Sequence, residues 1–83
     1  MAVHVVLSSS NGREFTGGLA EFDVAANTVR RMILELEARF PGFGDYIERR
    51  MAIAIDGEIH QDALFALLMA GSEVVLIPRI GGG

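Results

Sequence analysis

The run Glu73-Val-Val-Leu-Ile-Pro78 constrains this chain more than any other stretch. Successive residues of a strand point to opposite faces, so Val74 to Ile77 place aliphatic side chains on both sides. A strand of that kind lies inside a sheet, or offers its second face to a partner. Pro78 closes it, because a nitrogen without a hydrogen cannot donate to a neighbouring strand. After Arg79 and Ile80 come Gly81, Gly82 and Gly83, which have no side chains to add to a core. The rest of the chain must therefore supply the neighbouring strands and a layer to cover one face.

Two such strands are visible at the start. Val3, Val5 and Leu7 alternate with His4, Val6 and Ser8, and Ala20-Glu21-Phe22-Asp23-Val24 alternates as cleanly. Ser8 to Gly12 is a turn cluster, Gly17-Gly18 a second break, and Arg13 to Thr16 between them reads as irregular or a short extension. After Val24 the period changes. Val29, Met32, Ile33, Leu36 and Phe40 form one stripe at helical spacing, with Asn27 as the candidate N-cap and Pro41-Gly42 as the stop. Glu35 and Arg39 sit four apart on the opposite side, in the favourable order. Residues 43–50 read either as loop or as a helical turn.

Period two then returns. Met51-Ala-Ile-Ala-Ile55 predicts a strand with Met51, Ile53 and Ile55 facing the core and Ala52 and Ala54 facing away. Asp56-Gly57 is a two-residue hairpin signal, making Glu58-Ile59-His60 the return strand. Ala63 to Leu68 predicts a brief helix or 3₁₀ turn, and Ala70-Gly71-Ser72 a turn before the last strand. The order is strand, strand, helix, strand, strand, strand. That is an α+β chain in a β-grasp arrangement, a mixed sheet on one main helix, over residues 1–80, with 81–83 as an extended glycine tail.

Composition narrows the chemistry. Eighty-three residues make one small domain, and 51% hydrophobic residues allow a compact core. The longest apolar runs fall far short of the ~20 residues a membrane span needs. The first residues carry no basic, apolar and cleavage-site pattern of a signal peptide, so a cytoplasmic location is expected. A net charge of −4 argues against nucleic acid as the ligand. All seven basic residues are arginines, and there is no cysteine. Without lysine there is no phosphate-binding loop of the Walker type and no Schiff base. Without cysteine there is no thiolate nucleophile, disulfide or thiolate metal site.

The last sixteen residues, Leu68-Met-Ala-Gly-Ser-Glu-Val-Val-Leu-Ile-Pro-Arg-Ile-Gly-Gly-Gly83, resemble the ending of the ubiquitin-like sulfur carriers of the MoaD/ThiS family. These are the small subunit of molybdopterin synthase and its relative in thiamine synthesis. Ile55-Asp56-Gly57-Glu58 is similar to the family's Val-Asn-Gly hairpin, with Asp56 in place of asparagine. Arg79 stands where the molybdopterin subunit often repeats proline, and Gly81 extends the terminal pair to three. The resemblance implies a carrier that is not an enzyme by itself. Gly83 would be its reactive end, adenylated and then converted to a thiocarboxylate, with Gly81 and Gly82 as a slender lead-in. It also implies three partners: an E1-like adenylating enzyme that uses the ATP, a sulfur donor system, and an acceptor synthase. That synthase would be the molybdopterin synthase large subunit or one of the thiazole synthase type. The molybdopterin route is the preferred reading. Thiamine or another sulfur-containing metabolite, or conjugation to protein through the C-terminus, are the alternatives.

The residues themselves support part of this. A carboxylate becomes an acyl donor only when its oxygen is made a good leaving group. In a chain without cysteine the terminal carboxylate is the one place for transferable sulfur. With Val74 and Leu76 inward, Val75 and Ile77 lie beside Ala52 and Ala54 as an apolar patch. Pro78, Arg79 and Ile80 join this candidate partner surface at the root of the tail. The competing expectation is that Phe43, Tyr46 or Ile80 folds over the patch. His4 and His60 read as ordinary surface or strand histidines with no metal or bound cofactor expected. Glu21 with Asp23, and Glu35 with Glu37, read as solvated faces.

Overall fold

The computed structural model describes residues 2–8, 10–60 and 63–79. Five strands form one mixed sheet in the order β2-β1-β5-β3-β4. They are β1 (Val3–Leu7), β2 (Glu21–Val24), β3 (Met51–Ile55), β4 (Glu58–His60) and β5 (Glu73–Pro78). The doubly apolar β5 lies at the centre, parallel to β1 and antiparallel to β3, so both its edges are hydrogen-bonded. β1 pairs antiparallel with β2, and β3 with β4. This is the β-grasp arrangement that the order of elements predicts.

One face is covered by helices. α2 (Val29–Arg39) buries Val29, Met32, Ile33 and Leu36, four positions of the helical stripe. Its N-cap is Thr28, not Asn27: the Thr28 Oγ1 accepts from the Arg31 amide at 3.2 Å. The reason is tertiary. Thr28 forms a bridge with Leu67, and the Asn27 carbonyl accepts from the Leu68 amide at 2.9 Å, which holds Asn27 outside the helix. The two ambiguous segments are helical, α1 (Arg13–Thr16) and α3 (Phe43–Arg50), so two further helices accompany the main one. Residues 63–65 form a 3₁₀ turn, and the helical character stops there.

Two carboxylates outside the regular ladders organise this layer. Glu37 accepts from the Gly42 amide at 2.7 Å and the Gly44 amide at 2.8 Å, satisfying free N–H groups at the start of α3. It is a cap, and the expectation of a solvated glutamate is corrected. Asp56 accepts from the Glu73 amide at 2.9 Å and from the Ser72 hydroxyl at 3.1 Å, tying the β3–β4 turn to the start of β5. Both central turn residues have positive φ, 48° at Asp56 and 89° at Gly57, as a type I′ turn requires.

The core fills the space between sheet and helices. Val3, Val5 and Leu7 of β1, Val74 and Leu76 of β5, and Met51, Ile53 and Ile55 of β3 meet Met32, Leu36, Phe43 and Ile47. Phe43 and Tyr46 belong to this side: both rings lie against Phe15, at centroid distances of 5.8 and 5.1 Å. They are therefore unavailable to cover the opposite face.

Candidate functional site

Pairing register decides which side chains share the uncovered face. Val6 of β1 stands opposite Val75 of β5, Val75 opposite Ala54 of β3, and Ala54 opposite Ile59 of β4. Directly paired residues point to the same side, so these four make one row across four strands. Ile77, opposite Ala52, begins the next row towards the end of β5. Val75, Ile77, Ala52 and Ala54 thus come together as the sequence pattern predicts. Val6 and Ile59 complete the patch, and Ile59 is 66% exposed. Ala54, flanked by two larger neighbours, is itself buried. Sequence parity alone could not bring in Val6 or Ile59, because their membership depends on which strands are neighbours.

One of the predicted partner residues is placed differently. Pro78 pairs with Met51, whose side chain is in the core, so Pro78 lies on the opposite side of the sheet from Val75 and Ile77. Arg79 is exposed but tied down. Its amide donates to the Arg50 carbonyl at 2.9 Å, and its Nε donates to the Met51 carbonyl at 3.2 Å. The main chain is thereby held to the start of β3 up to residue 79. Ile80, Gly81, Gly82 and Gly83 lie outside the described residues, and with them the predicted boundary at residue 80.

The other end of the same face is polar. His4 stands opposite Asp23 on β2 and Glu73 on β5. Its Nδ1 is 3.1 Å from Asp23 Oδ1, and its Nε2 is 2.6 Å from Glu21 Oε1. The hydrogen bonds from Asp23 and then Glu21 raise the imidazole pKa above its ordinary 6.5. Glu21 and Asp23 hold a histidine, a role that neither strand's sequence alone reveals. The face therefore runs from an acidic corner at β2 to an apolar centre and then to the arginine-flanked end of β5.

Behind the β3–β4 edge, a groove of about 850 Å³ is lined by Ile33, Ile47, Met51, Ile53 and Phe65, with Glu48, His60 and Arg79 as polar groups. Among the described residues no helix is long and apolar enough to cross a membrane.

Comparison with known proteins adds the family. Residues 11–83 match the model described as the ThiS family. Among solved structures, the fold is similar to that in the complex of BexX and CysO from Amycolatopsis orientalis. There the TM-score is 0.83 at 23% identity, over 99% of this chain and 100% of that one. It is also similar to small archaeal modifier protein 1 from Methanosarcina acetivorans, with a TM-score of 0.77, 24% identity, and coverage of 99% and 96%. A third likeness is to a complex of subunits 1 and 2 of the molybdopterin-converting factor from Helicobacter pylori. Its TM-score is 0.71 at 20% identity, with all of both chains covered. At these identities the structures show a common fold. A search of curated proteins gives no match. The matched segment takes in β2 to β5, the Asp56-Gly57 turn and the glycine end, and the chain belongs to the ThiS family.

Proposed function

We propose that this chain is a sulfur carrier whose Gly83 carboxylate is the site of loading and release. The family match, which runs through the terminal Gly-Gly-Gly, carries this reading. A carboxylate oxygen would attack the α-phosphorus of ATP in the active site of an E1-like partner, expelling pyrophosphate. A sulfur nucleophile from the donor system would then attack the acyl carbon. The C–S bond forms as the C–O bond breaks, and AMP leaves with the electron pair. The product is a thiocarboxylate, which an acceptor synthase consumes, returning the carboxylate. The chain is then a recharged co-substrate and not an enzyme. ATP belongs to the partner, and the cytoplasm supplies it.

Arrangement and composition support the assignment. Held to β3 through Arg79, the body hands on a four-residue end, 80–83, whose last three residues have no side chains. The apolar row Val6, Val75, Ala54 and Ile59, with Ile77 and Ala52, is the surface on which the partners would dock. The preferred destination is molybdopterin synthesis, through a synthase large subunit. A two-subunit molybdopterin-converting factor is among the proteins that share this fold, alongside CysO and an archaeal modifier protein.

The test is intact-mass analysis after incubation with ATP, the adenylating enzyme of the same genome and a sulfur source. Exchange of one terminal oxygen for sulfur is the expected result. Attachment of the C-terminus to lysines of other proteins, with no thiocarboxylate, would instead establish a protein modifier.

A further inference from the structure

Both edges of the sheet are guarded by charge. β2 carries Glu21 and Asp23 and β4 carries Glu58, which discourages a further strand from pairing there. The segment between the 3₁₀ turn and β5 has no such protection. Residues 63–72, Ala-Leu-Phe-Ala-Leu-Leu-Met-Ala-Gly-Ser, contain neither a charge nor a proline. Exposure alternates within it. Phe65, Leu67 and Met69 are 77%, 76% and 72% exposed, whereas Ala66 packs against the core and Leu68 is buried. One such residue is ordinary on a protein surface, but three together on the outward side of an uncharged stretch mark a contact surface.

The backbone decides what this surface can receive. Leu67 bridges Thr28, and the bonds that hold it lie on either side. The Val29 amide donates to the Ala66 carbonyl at 3.1 Å, and the Leu68 amide to the Asn27 carbonyl at 2.9 Å. In an antiparallel bridge of that kind the central residue's own N–H and C=O point to the opposite edge. Neither group of Leu67 has a hydrogen-bond partner among the described residues. One residue thus offers a donor and an acceptor together, which is what a two-fold axis requires, since each copy gives what the other receives. With Leu67 of one copy opposite Leu67 of another, two N–H···O=C bonds form. The antiparallel register then brings Phe65 of each copy towards Met69 of the other, and a thioether against an aromatic ring is a favourable contact.

We propose that residues 65–69 are a self-association surface, on which a second copy of this chain adds antiparallel across Leu67. Electrostatics directs a copy to this segment: each chain carries a net charge of −4, and here no charged side chain of the segment is set against its like. The three side chains offer on the order of 400 Å² per copy. With the flanking backbone the pair buries roughly 1,000 Å², the size of a weak and reversible interface. The surface is built on the entry to α2 and uses none of the row Val6, Val75, Ala54 and Ile59. It stands whether or not Gly83 carries sulfur.

The test is sedimentation equilibrium of the full-length chain from about 10 µM to about 1 mM, the range in which an interface of this size associates. A reversible monomer–dimer equilibrium is expected. Leu67→Asp sets two carboxylates face to face and should weaken it by about tenfold or more, with Met69→Asp as the second variant. Ile77→Glu, on the open sheet face, should leave it unchanged. The chain has no cysteine, so Leu67→Cys introduces a single thiol. Cα atoms of a hydrogen-bonded antiparallel pair stand about 5.5 Å apart, within disulfide range, so mild oxidation should cross-link Leu67→Cys about tenfold faster than Leu19→Cys, an exposed control. Circular dichroism checks that the variants fold. A monomer throughout the range would overturn the proposal and assign the segment to a different polypeptide. A dimer lost in Ile77→Glu and kept in both aspartate variants would also overturn it, by placing the second copy on the open sheet face.

Discussion

Gly44 shows how one missing carbon holds two helices together. A Cβ there would stand 2.9 Å from both Glu37 Cβ and Glu37 Oε1, and 3.3 Å from Ile33 Cγ2. The contact is with the base of the Glu37 side chain, so relief requires the carboxylate to leave its two amides. Gly44→Ala should therefore destabilise the protein by roughly 1–3 kcal/mol, read from urea unfolding. Glu37→Ala should cost about 1–2 kcal/mol, and the double variant less than the sum, because both changes remove one interaction. Asp56 is a second such residue. Asp56→Ala should cost about 1–3 kcal/mol, since the Glu73 amide and Ser72 hydroxyl lose their acceptor. Asp56→Asn, which keeps one acceptor oxygen and tolerates positive φ, should cost less by the same measurement. The Asp-Gly turn was legible in the sequence, because its signal is confined to two residues. The duties of Glu37 were not, since they depend on a chain reversal at Pro41-Gly42 that returns Gly44 against α2.

Among elements, the β1–β2 pair carries the clearest pH response. His4 is held by Asp23 and Glu21, and its pKa in the folded chain lies above 6.5. A group whose folded pKa is raised binds its proton more tightly in the native state. Its stabilising contribution is fully present below pH 6.5 and is lost as pH rises through the raised folded value. The midpoint of urea unfolding should accordingly fall between pH 6 and the mildly alkaline range by a step that His4→Gln removes. An unchanged step in that variant would assign the effect elsewhere. Helix α2 and all five strands follow from periodicity and turn residues, which are local properties. α1 and α3 were harder to read. Each is short, and each starts after a glycine of positive φ, at Gly12 and Gly42, with no side-chain cap of its own. For α3 the capping carboxylate comes from another helix, beyond the reach of any local motif.

On the scale of the molecule, the doubly apolar β5 divides the protein into a packed side and an open side. The core side decides stability and the other side, on the carrier reading, decides recognition. Ile77→Glu should shift the unfolding free energy by no more than about 1 kcal/mol, as a substitution outside the core. The same change should sharply reduce loading by the adenylating enzyme, with a higher KM in a pyrophosphate-release assay. Removing Gly82 and Gly83 should leave the unfolding midpoint where it is and abolish oxygen-to-sulfur exchange altogether. Together these variants separate the body from the proposed docking surface and the proposed reactive end.

The amino-acid order by itself determined the strands, the main helix, the β-grasp class and the chemistry open to the chain. Alternation, helical spacing, Asp-Gly, and a lack of lysine and cysteine are all written within a few residues or in plain composition. Only the tertiary structure decided that Val6 and Ile59 join Val75, that Pro78 faces away from them, and that Glu37, Asp23 and Glu21 have partners. Those outcomes depend on which distant segments become neighbours and in what register, and a one-residue slip in any pairing would send every side chain to the other face.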